Sequence, residues 1–318
     1  MTGFLTAGII RTALEVGLIY SLVTLSLFVS YSILNICDLS TDGCYTLGCA
    51  VGAVVTIAGH PVLGLFAAML AGICSGYITA VLQTKFGVES ILAGIIVNTG
   101  LYTINLAVMG FSSNVSIFGT DTVFSLFEKL NGSAFWKDWN KLILLFLLLL
   151  AVCLVIRWFL DTRLGLSIRA TGDSPAMVRA SSINPAFTIT VGLCFSNALT
   201  GLAGSLIGQY NKTCDINLGT GMVTIALASL VIGESFSKKG RIHTRLFFAV
   251  VGSLLYRFVI SIALRLNVPT EAFKLVSAVI VAAAIAAPQA RKMLSFRRRE
   301  FAAGRERKER RAGGNEHA

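Results

Sequence analysis

The chain has 318 residues, of which 55% are hydrophobic and 14% are charged, with a mean hydropathy of +0.76. Soluble domains carry about 25% charged residues, so this composition excludes an ordinary soluble protein and indicates a polytopic membrane protein. The net charge of +11 is concentrated at the C-terminus, where residues from Gln289 onward include ten Lys/Arg and four Asp/Glu. A basic segment behind a membrane span faces anionic headgroups, so we predict membrane lipid as a partner and no nucleic acid.

Runs of about 20 apolar residues, the length that crosses a bilayer, recur along the chain. They predict an all-α transmembrane helical bundle of about nine spans (8–10) in a single domain over residues 1–290. A basic cytoplasmic tail, predicted to be disordered, follows over residues 291–318. The predicted spans are 9–34, 43–59, 62–84, 89–110, 141–160, 187–209, 219–236, 246–264 and 270–288.

The longest polar interruption is the segment 161–185, and it carries the signals of a short helix. Ser174 is a suitable N-cap, and Pro175 suits the first helical position. Pro185 disfavours helical geometry at the residue before it, so the predicted helix is 175–184. The spacing alone leaves two alternatives open: a solvated loop, or a helix that docks on another protein. The candidate docking face consists of Ala176, Ala180 and Ile183, with Arg179 beside it.

Short loops rich in Lys and Arg face the cytoplasm, so their positions predict the orientation of the chain in the membrane. Segment 161–186, segment 237–245 and the tail are basic, and the span count returns all three to the same side. The N-terminus and the aromatic segment 111–140 are then external, with Trp136 and Trp139 as interface anchors. A re-entrant segment near residues 35–61 would invert the N-terminus.

Polar residues within the apolar runs are the candidates for a substrate path. A run of polar residues separates the first two predicted spans. It is either part of such a path or a plain cytoplasmic turn. Two asparagines seven residues apart share one face of the fourth span, where they bridge helices or bind a solute. The candidates are Asn35, Asp38, Ser40, Asp42, Asn98, Asn105 and Gln209.

Three ionisable residues lie in or near spans: Glu15, Glu234 and Arg257. An isolated charge in hydrocarbon is costly, so such residues usually pair or face a cavity. We expect a carboxylate partner for Arg257, whereas Glu234, near the cytoplasmic end, either pairs or reaches interfacial water. The seven cysteines form no CxxC motif and are interpreted as packing residues, with Cys214 as the exposed candidate.

Motifs of an enzyme are missing from the sequence. It has three histidines and lacks HExxH, a nucleophile elbow and the phosphate-binding GxxxxGK[ST]. We therefore predict no catalytic residues, no metal site and no cofactor on this chain. If transport is driven by ATP, then ATP and Mg²⁺ bind to a separate ATPase subunit.

Four stretches carry a family resemblance that covers most of residues 20–245. They are DLSTDGCYTLG at 38–48, DTRLGLSIRATGDSPAMVRASSINP at 161–185, GLAG at 201–204, and the glycine-rich segment 219–240. The chain resembles the permease subunits of bacterial ABC importers of the branched-chain amino acid/ribose type. Within that family it is most similar to poorly characterised permeases that work beside a lipoprotein-type binding protein, some of them linked to tryptophan or other amino acids. It departs from the family pattern at Ser181-Ser182 and Glu234-Ser235, where glycine is common.

The resemblance implies an importer in the bacterial cytoplasmic membrane, with the C-terminus cytoplasmic and an amino acid as the preferred solute. Its expected partners are ABC ATPase subunits, an extracytoplasmic solute-binding protein and a second permease copy. The segment 161–185 would be the ATPase-coupling element, through Leu164, Gly165, Arg169, Gly172, Asp173, Ala176, Arg179, Ala180, Ile183 and Asn184. A sugar or nucleoside permease, an ATP-independent secondary transporter and a membrane-embedded enzyme are the alternatives.

Overall fold

The computed structural model describes residues 7–130, 139–236 and 242–265, together with the single positions 279 and 282. The described residues are mostly helical. Helix α1 is continued directly by a π-helical turn, Phe28–Ile33, before the chain leaves the helix. The helices are α1 Ala7–Leu27, α2 Thr41–Ile57, α3 Pro61–Thr84, α4 Ser90–Val108, α5 Val123–Leu130, α6 Asn140–Asp161, α7 Arg163–Asp173, α8 Pro175–Ala180, α9 Pro185–Asn211, α10 Met222–Phe236 and α11 Ile242–Arg265.

Six of these helices are long and apolar enough to cross a membrane: α1 with the π-helical turn, α3, α4, α6, α9 and α11. Two further predicted spans, 43–59 and 219–236, correspond to α2 and α10, which are apolar helices of 17 and 15 residues. Apart from the single positions 279 and 282, the predicted span 270–288 and the tail 291–318 lie outside the described residues. The all-α, polytopic class is therefore confirmed.

Helix α9 is the centre of the bundle, and glycine allows other helices to approach it closely. A Cβ atom on Gly48 of α2 would overlap the backbone of Gly201, and one on Gly72 of α3 would overlap the carbonyl oxygen of Asn197. Within a membrane, close backbone approach supplies the van der Waals contact that holds helices together. The glycines of these helices therefore serve close helix packing.

One small feature of the fold is not helical. Strand β1, Asn114–Ser116, pairs antiparallel with strand β2, Thr213–Asp215. Together with α2 this pair encloses a small apolar cluster, and Cys214 inside it is fully buried. The prediction that Cys214 is exposed is therefore wrong, because strand pairing between distant segments covers it. Cys74 is instead the exposed cysteine among the described residues.

Helix α5 lies in the segment 111–140, which was expected at the external interface. Trp139, one of the two predicted anchors, is 50% exposed, and Trp136 lies outside the described residues. Lys129 at the end of α5 donates to both carboxylate oxygens of Asp121 at 2.8 Å. These hydrogen bonds lower the pKa of the Asp121 carboxyl group.

Candidate functional site

The polar segment 161–185 folds into α7 and α8 at one end of the bundle, which we call the basic end. The Thr162 hydroxyl caps α7 by accepting a backbone N–H at 3.2 Å. The Ser174 hydroxyl caps α8 by accepting an N–H at 3.4 Å, and Pro175 is its first residue. Such caps satisfy donors that a helix start leaves unpaired, so both helices are specified locally. The Ser174 cap is confirmed, whereas α7 is absent from the sequence-based prediction.

Helix α8 ends at Ala180, earlier than predicted. The N–H groups of Ser182 and Ile183 donate back to carbonyls of α8 at 3.1 and 3.2 Å, in the arrangement of a Schellman motif. This places Ser182 at φ +60°, in the left-handed region that glycine adopts most easily. Asn184 then caps α9, and Pro185 begins that helix. The predicted helix boundary at Asn184 is therefore wrong.

The ten predicted coupling residues do not all face outward. Leu164, Asp173, Ala176, Arg179, Ala180 and Asn184 are exposed; Arg169, Gly172 and Ile183 are half-buried; Gly165 is buried. Two exposed apolar side chains of the same segment were missed, Met177 at 69% and Leu166 at 52% exposure. The sequence could have indicated both residues, because each is an apolar residue inside a polar segment that lies outside the apolar runs. We call the exposed residues of these two helices the α7–α8 surface.

Gly172 joins the α7–α8 surface to the first span. A Cβ atom at Gly172 would overlap the carbonyl oxygen of Ile33, the last residue of the π-helical turn. The neighbouring Thr171 hydroxyl forms a hydrogen bond of 2.8 Å with the Thr188 hydroxyl of α9. Ile168 on the same helix is fully buried. Helix α7 is thus packed against both α9 and the π-helical turn that continues α1.

Residues 34–40, between the π-helical turn and α2, are not helical, and Asp38 organises this central break. Asp38 is 1% exposed. Its Oδ1 accepts the Ser40 N–H at 2.8 Å, and its Oδ2 accepts the Asn197 amide at 2.8 Å. Asn197 is fully buried near the middle of the 27-residue helix α9. The break therefore lies beside the middle of α9, where non-helical backbone is tolerated because protein covers it.

Helix α10 begins beside the same break. The Asp42 carboxylate, on the first turn of α2, accepts the N–H of Gly221 at 3.0 Å and the N–H of Val223 at 2.8 Å. The Thr46 hydroxyl accepts the Gly219 N–H at 3.1 Å. A carboxylate at a helix start is stabilised by the free N–H groups and the helix dipole. The two short helices α2 and α10 therefore start at one place inside the bundle.

The two asparagines of α4 lie at this place as well. Asn105 is 2% exposed and donates to the Gly43 carbonyl of α2 at 3.1 Å. A Cβ atom on Gly43 would lie 2.6 Å from Oδ1 of Asn98. The helix-bridging use of Asn105 is confirmed. Five substrate-path candidates thus surround the start of α2: Asp38, Ser40, Asp42, Asn98 and Asn105.

The other two substrate-path candidates, Asn35 and Gln209, lie away from the start of α2. Asn35 is exposed at the end of the π-helical turn, with φ +59°. Gln209 lies at the end of the bundle opposite the basic end and is 1% exposed. Its amide donates to the Pro61 carbonyl at 3.1 Å and accepts the Val123 N–H at 2.9 Å. Gln209 therefore ties three helices together at that end.

Glu15 and Glu234 each accept a hydrogen bond from an arginine. Glu15 accepts from Arg11 at 3.0 Å and from the Tyr210 hydroxyl at 2.8 Å. At the basic end, Glu234 accepts from Arg245 at 2.8 Å, and the Ser32 hydroxyl contacts both side chains. This second cluster connects the π-helical turn with α10 and α11.

Arg257 differs from Glu15 and Glu234 in its interactions. Within the described parts of the chain no carboxylate forms an ion pair with it, so the partner predicted for it is wrong there. Its guanidinium carbon lies 5.0 Å from the centre of the Tyr20 ring, where the negative face of the aromatic ring attracts the cation.

A model of the family described as "Branched-chain amino acid transport system / permease component" matches residues 9–285. The chain belongs to this family. It is the permease component of an ABC transport system, and the family, together with its apolar helices, makes it a multi-pass inner-membrane protein. The geometry fits this class, because the bundle combines an exposed basic surface with buried polar groups halfway across.

Three relatives of this permease illustrate the range of the family. The tyrosine transport system permease protein of Clostridioides difficile is 33% identical over 282 residues, 88% of this chain and 91% of that protein. An uncharacterised protein of Rickettsia prowazekii is 30% identical over 277 residues, 86% of this chain and 95% of that protein. The ribose import permease of Escherichia coli K12 is 25% identical over 259 residues, 78% and 75% of the two chains. No solved structure gives a significant match.

Proposed function

We propose that this permease imports an amino acid, with an aromatic amino acid such as tyrosine as the first solute to test. The similarity to the tyrosine transport permease over nearly the whole of both chains supports the amino acid class. In this proposal the six long helices, the two short ones and the apolar run at 270–288 serve as nine spans. The Lys and Arg residues of segment 161–186 and of the tail support a cytoplasmic position for both segments.

The observation that carries the coupling role is the contact between Gly172 and Ile33. It connects the exposed α7–α8 surface to the π-helical turn that precedes Asp38 in the central break. In this proposal an ATPase subunit holds the α7–α8 surface, and closure of the ATPase moves α7 as a rigid body. Because α7 is fixed to α1 and α9, that motion reaches the hydrogen bond between Asp38 and Asn197.

The proposed assembly contains two ATPase subunits, which bind ATP and Mg²⁺, and an external solute-binding protein. A second copy of this chain completes the path, with the polar groups around the start of α2 contributed by each copy. The chain itself supplies hydrogen bonds and motion and takes no part in ATP chemistry.

The test of the coupling role is Ala176→Glu, measured with the cognate ATPase subunit. Ala176 is exposed on α8, so the variant should keep its membrane level and its melting temperature. The new carboxylate at the docking surface should reduce co-purification of the ATPase and ATP-dependent uptake more than about tenfold. Lys85→Glu, on the exposed loop between α3 and α4 at the same end, is the matched control and should leave both unchanged. Normal uptake by Ala176→Glu would overturn the coupling assignment.

A sugar is the second candidate solute, because the ribose import permease is similar over three quarters of both chains. Mass spectrometry of the ligand that co-purifies with the cognate solute-binding protein separates the two solutes. The paired short helices α2 and α10 are also a feature of secondary transporters. Uptake that persists without the ATPase subunit would favour that mechanism.

A further inference from the structure

Three side chains from three helical elements meet at the basic end: Ser32 of the π-helical turn, Glu234 of α10 and Arg245 of α11. The Arg245 guanidinium donates to the Glu234 carboxylate at 2.8 Å. The Ser32 hydroxyl accepts from Arg245 and donates to the same carboxylate oxygen of Glu234. Each of the three side chains is therefore bonded to the other two, and we call the group the Ser32–Glu234–Arg245 triangle.

The π-helical turn lies between α7 and α11 and contacts both. Arg245 of α11 meets it at two points, because its guanidinium carbon also lies 5.5 Å from the centre of the ring of Phe28, the buried first residue of the turn. A cation over the face of an aromatic ring is attracted by it. On the other side, the carbonyl oxygen of Ile33 contacts Gly172 of α7. A displacement of α7 therefore reaches the turn one residue away from Ser32.

Helices α10 and α11 are packed so closely that we expect them to move together. A Cβ atom on Gly252 of α11 would overlap the Ser229 carbonyl oxygen of α10. One on Gly233 of α10 would overlap the Phe248 carbonyl oxygen of α11. Separating the two helices would lose the van der Waals contact that this backbone approach supplies. The triangle therefore joins the π-helical turn to a pair of helices.

The contact between this helix pair and the first span differs along its length. Near the middle of α11, the Ser253 hydroxyl donates to the Gly17 carbonyl of α1 at 3.3 Å, and a Cβ atom on Gly17 would lie 3.0 Å from Leu254. At the basic end the triangle is polar, and the Glu234 and Arg245 side chains are 33% and 30% exposed. Bonds between partly exposed polar groups can be replaced by bonds to water, whereas lost close packing has no such replacement. The helix pair can therefore leave the π-helical turn at the basic end while its middle stays on α1.

We propose that the Ser32–Glu234–Arg245 triangle is a latch at the basic end of the bundle. When closed, it holds the ends of α10 and α11 on the π-helical turn. When open, it releases them, so that this end of the bundle can widen. The opening is driven by α7 through the contact between Gly172 and Ile33, and this step rests on the proposed coupling role of the α7–α8 surface. The closed contact is independent of that role.

The closed latch is tested by hydrogen exchange of the full-length permease in detergent, without its partners. Glu234→Gln removes the charge that accepts from both Ser32 and Arg245. Amides in the π-helical turn and the first turn of α11 should then exchange about 5–30-fold faster, while those around Ser253 keep their rates. Ser235→Ala is the matched control, because this neighbouring hydroxyl donates to a carbonyl of its own helix, and its exchange rates should equal those of the wild type. The double variant Glu234→Arg with Arg245→Glu should recover most of the protection, since the ion pair forms again with its signs reversed.

The opening step is tested by adding the cognate ATPase subunit and a non-hydrolysable ATP analogue. Exchange in the π-helical turn should become faster in the wild type and not in Ala176→Glu. The latch is refuted if Glu234→Gln exchanges as the wild type does. It is also refuted if the amides around Ser253 speed up equally, because that result indicates a general loss of stability. Unchanged exchange in a wild-type complex that retains the ATPase would refute the opening step, whereas loss of the ATPase from that complex would refute the proposed coupling role.

Discussion

The α7–α8 surface and the central break are both polar interruptions of an apolar chain, but they are built in opposite ways. The α7–α8 surface is specified by neighbours in sequence: Thr162 and Ser174 cap helices that begin at the next residue. The central break is specified by contacts between distant segments, since Asp38 is held by Asn197 and Asp42 caps α10. A local structure can move as a unit, whereas a structure made of distant contacts responds when the helices around it move.

The variant Asp38→Ala should have the largest effect on stability. It leaves the Ser40 N–H and the Asn197 amide buried without an acceptor, which should cost about 2–5 kcal/mol. Chemical unfolding of the purified protein measures this loss. Asp173→Ala removes an exposed carboxylate from the α7–α8 surface and should stay within about 0.5 kcal/mol of the wild type. Equal stability of the two variants would contradict the contrast between the regions.

The variant Gly172→Ala tests the connection between the two regions. The added methyl group overlaps the Ile33 carbonyl oxygen, so α7 must shift away from α1, at a cost of about 1–3 kcal/mol. ATP-dependent uptake should fall while the ATPase still binds, since the exposed residues are unchanged. Gly100→Ala is the control: a Cβ atom there has no neighbour within 4 Å. If Gly172→Ala and Gly100→Ala have the same stability and the same rate of ATP-dependent uptake, the contact between Gly172 and Ile33 has no mechanical role.

The smallest expected effect is an increase in stability at the turn after α8. Ser182 adopts φ +60° after α8, so Ser182→Gly should stabilise the local turn by up to about 1 kcal/mol. Its neighbour Ser181 has an ordinary φ of −88°, and Ser181→Gly should instead cost roughly 0.5–1 kcal/mol through backbone entropy. Hydrogen exchange of the amides in this turn reports both changes. A loss of protection in Ser182→Gly would show that the serine side chain matters there.

The same contrast explains what the sequence could predict. The long apolar helices and the Ser174 cap follow from composition and from neighbouring residues, and the structure bears these out within the described residues. The end of α8 was predicted too late, because Ser182 takes a conformation that a serine rarely adopts. The burial of Cys214 and the place of Gln209 depend on partners that are distant in sequence, and no local pattern contains them.

Asp42 shows the limit most clearly. Its position suggested a role in a solute path, whereas its carboxylate caps a helix that begins far along the chain. The contact between the starts of α2 and α10 could not be predicted either, because the two helices were predicted as separate spans with no relation between them. Which buried polar group serves which neighbour is decided by helix packing, and single-sequence reasoning does not give that packing.

The π-helical turn at Phe28–Ile33 has a consequence for insertions and deletions. Such a turn holds one residue more than an α-helical turn does. A deletion in α9 would rotate every following side chain by about 100° and turn part of its buried face outward. A deletion within the π-helical turn would convert it to an ordinary helical turn and keep both flanking segments in phase. The first span can therefore absorb a change in length at the point where it meets α7, while α9 at the centre of the bundle cannot.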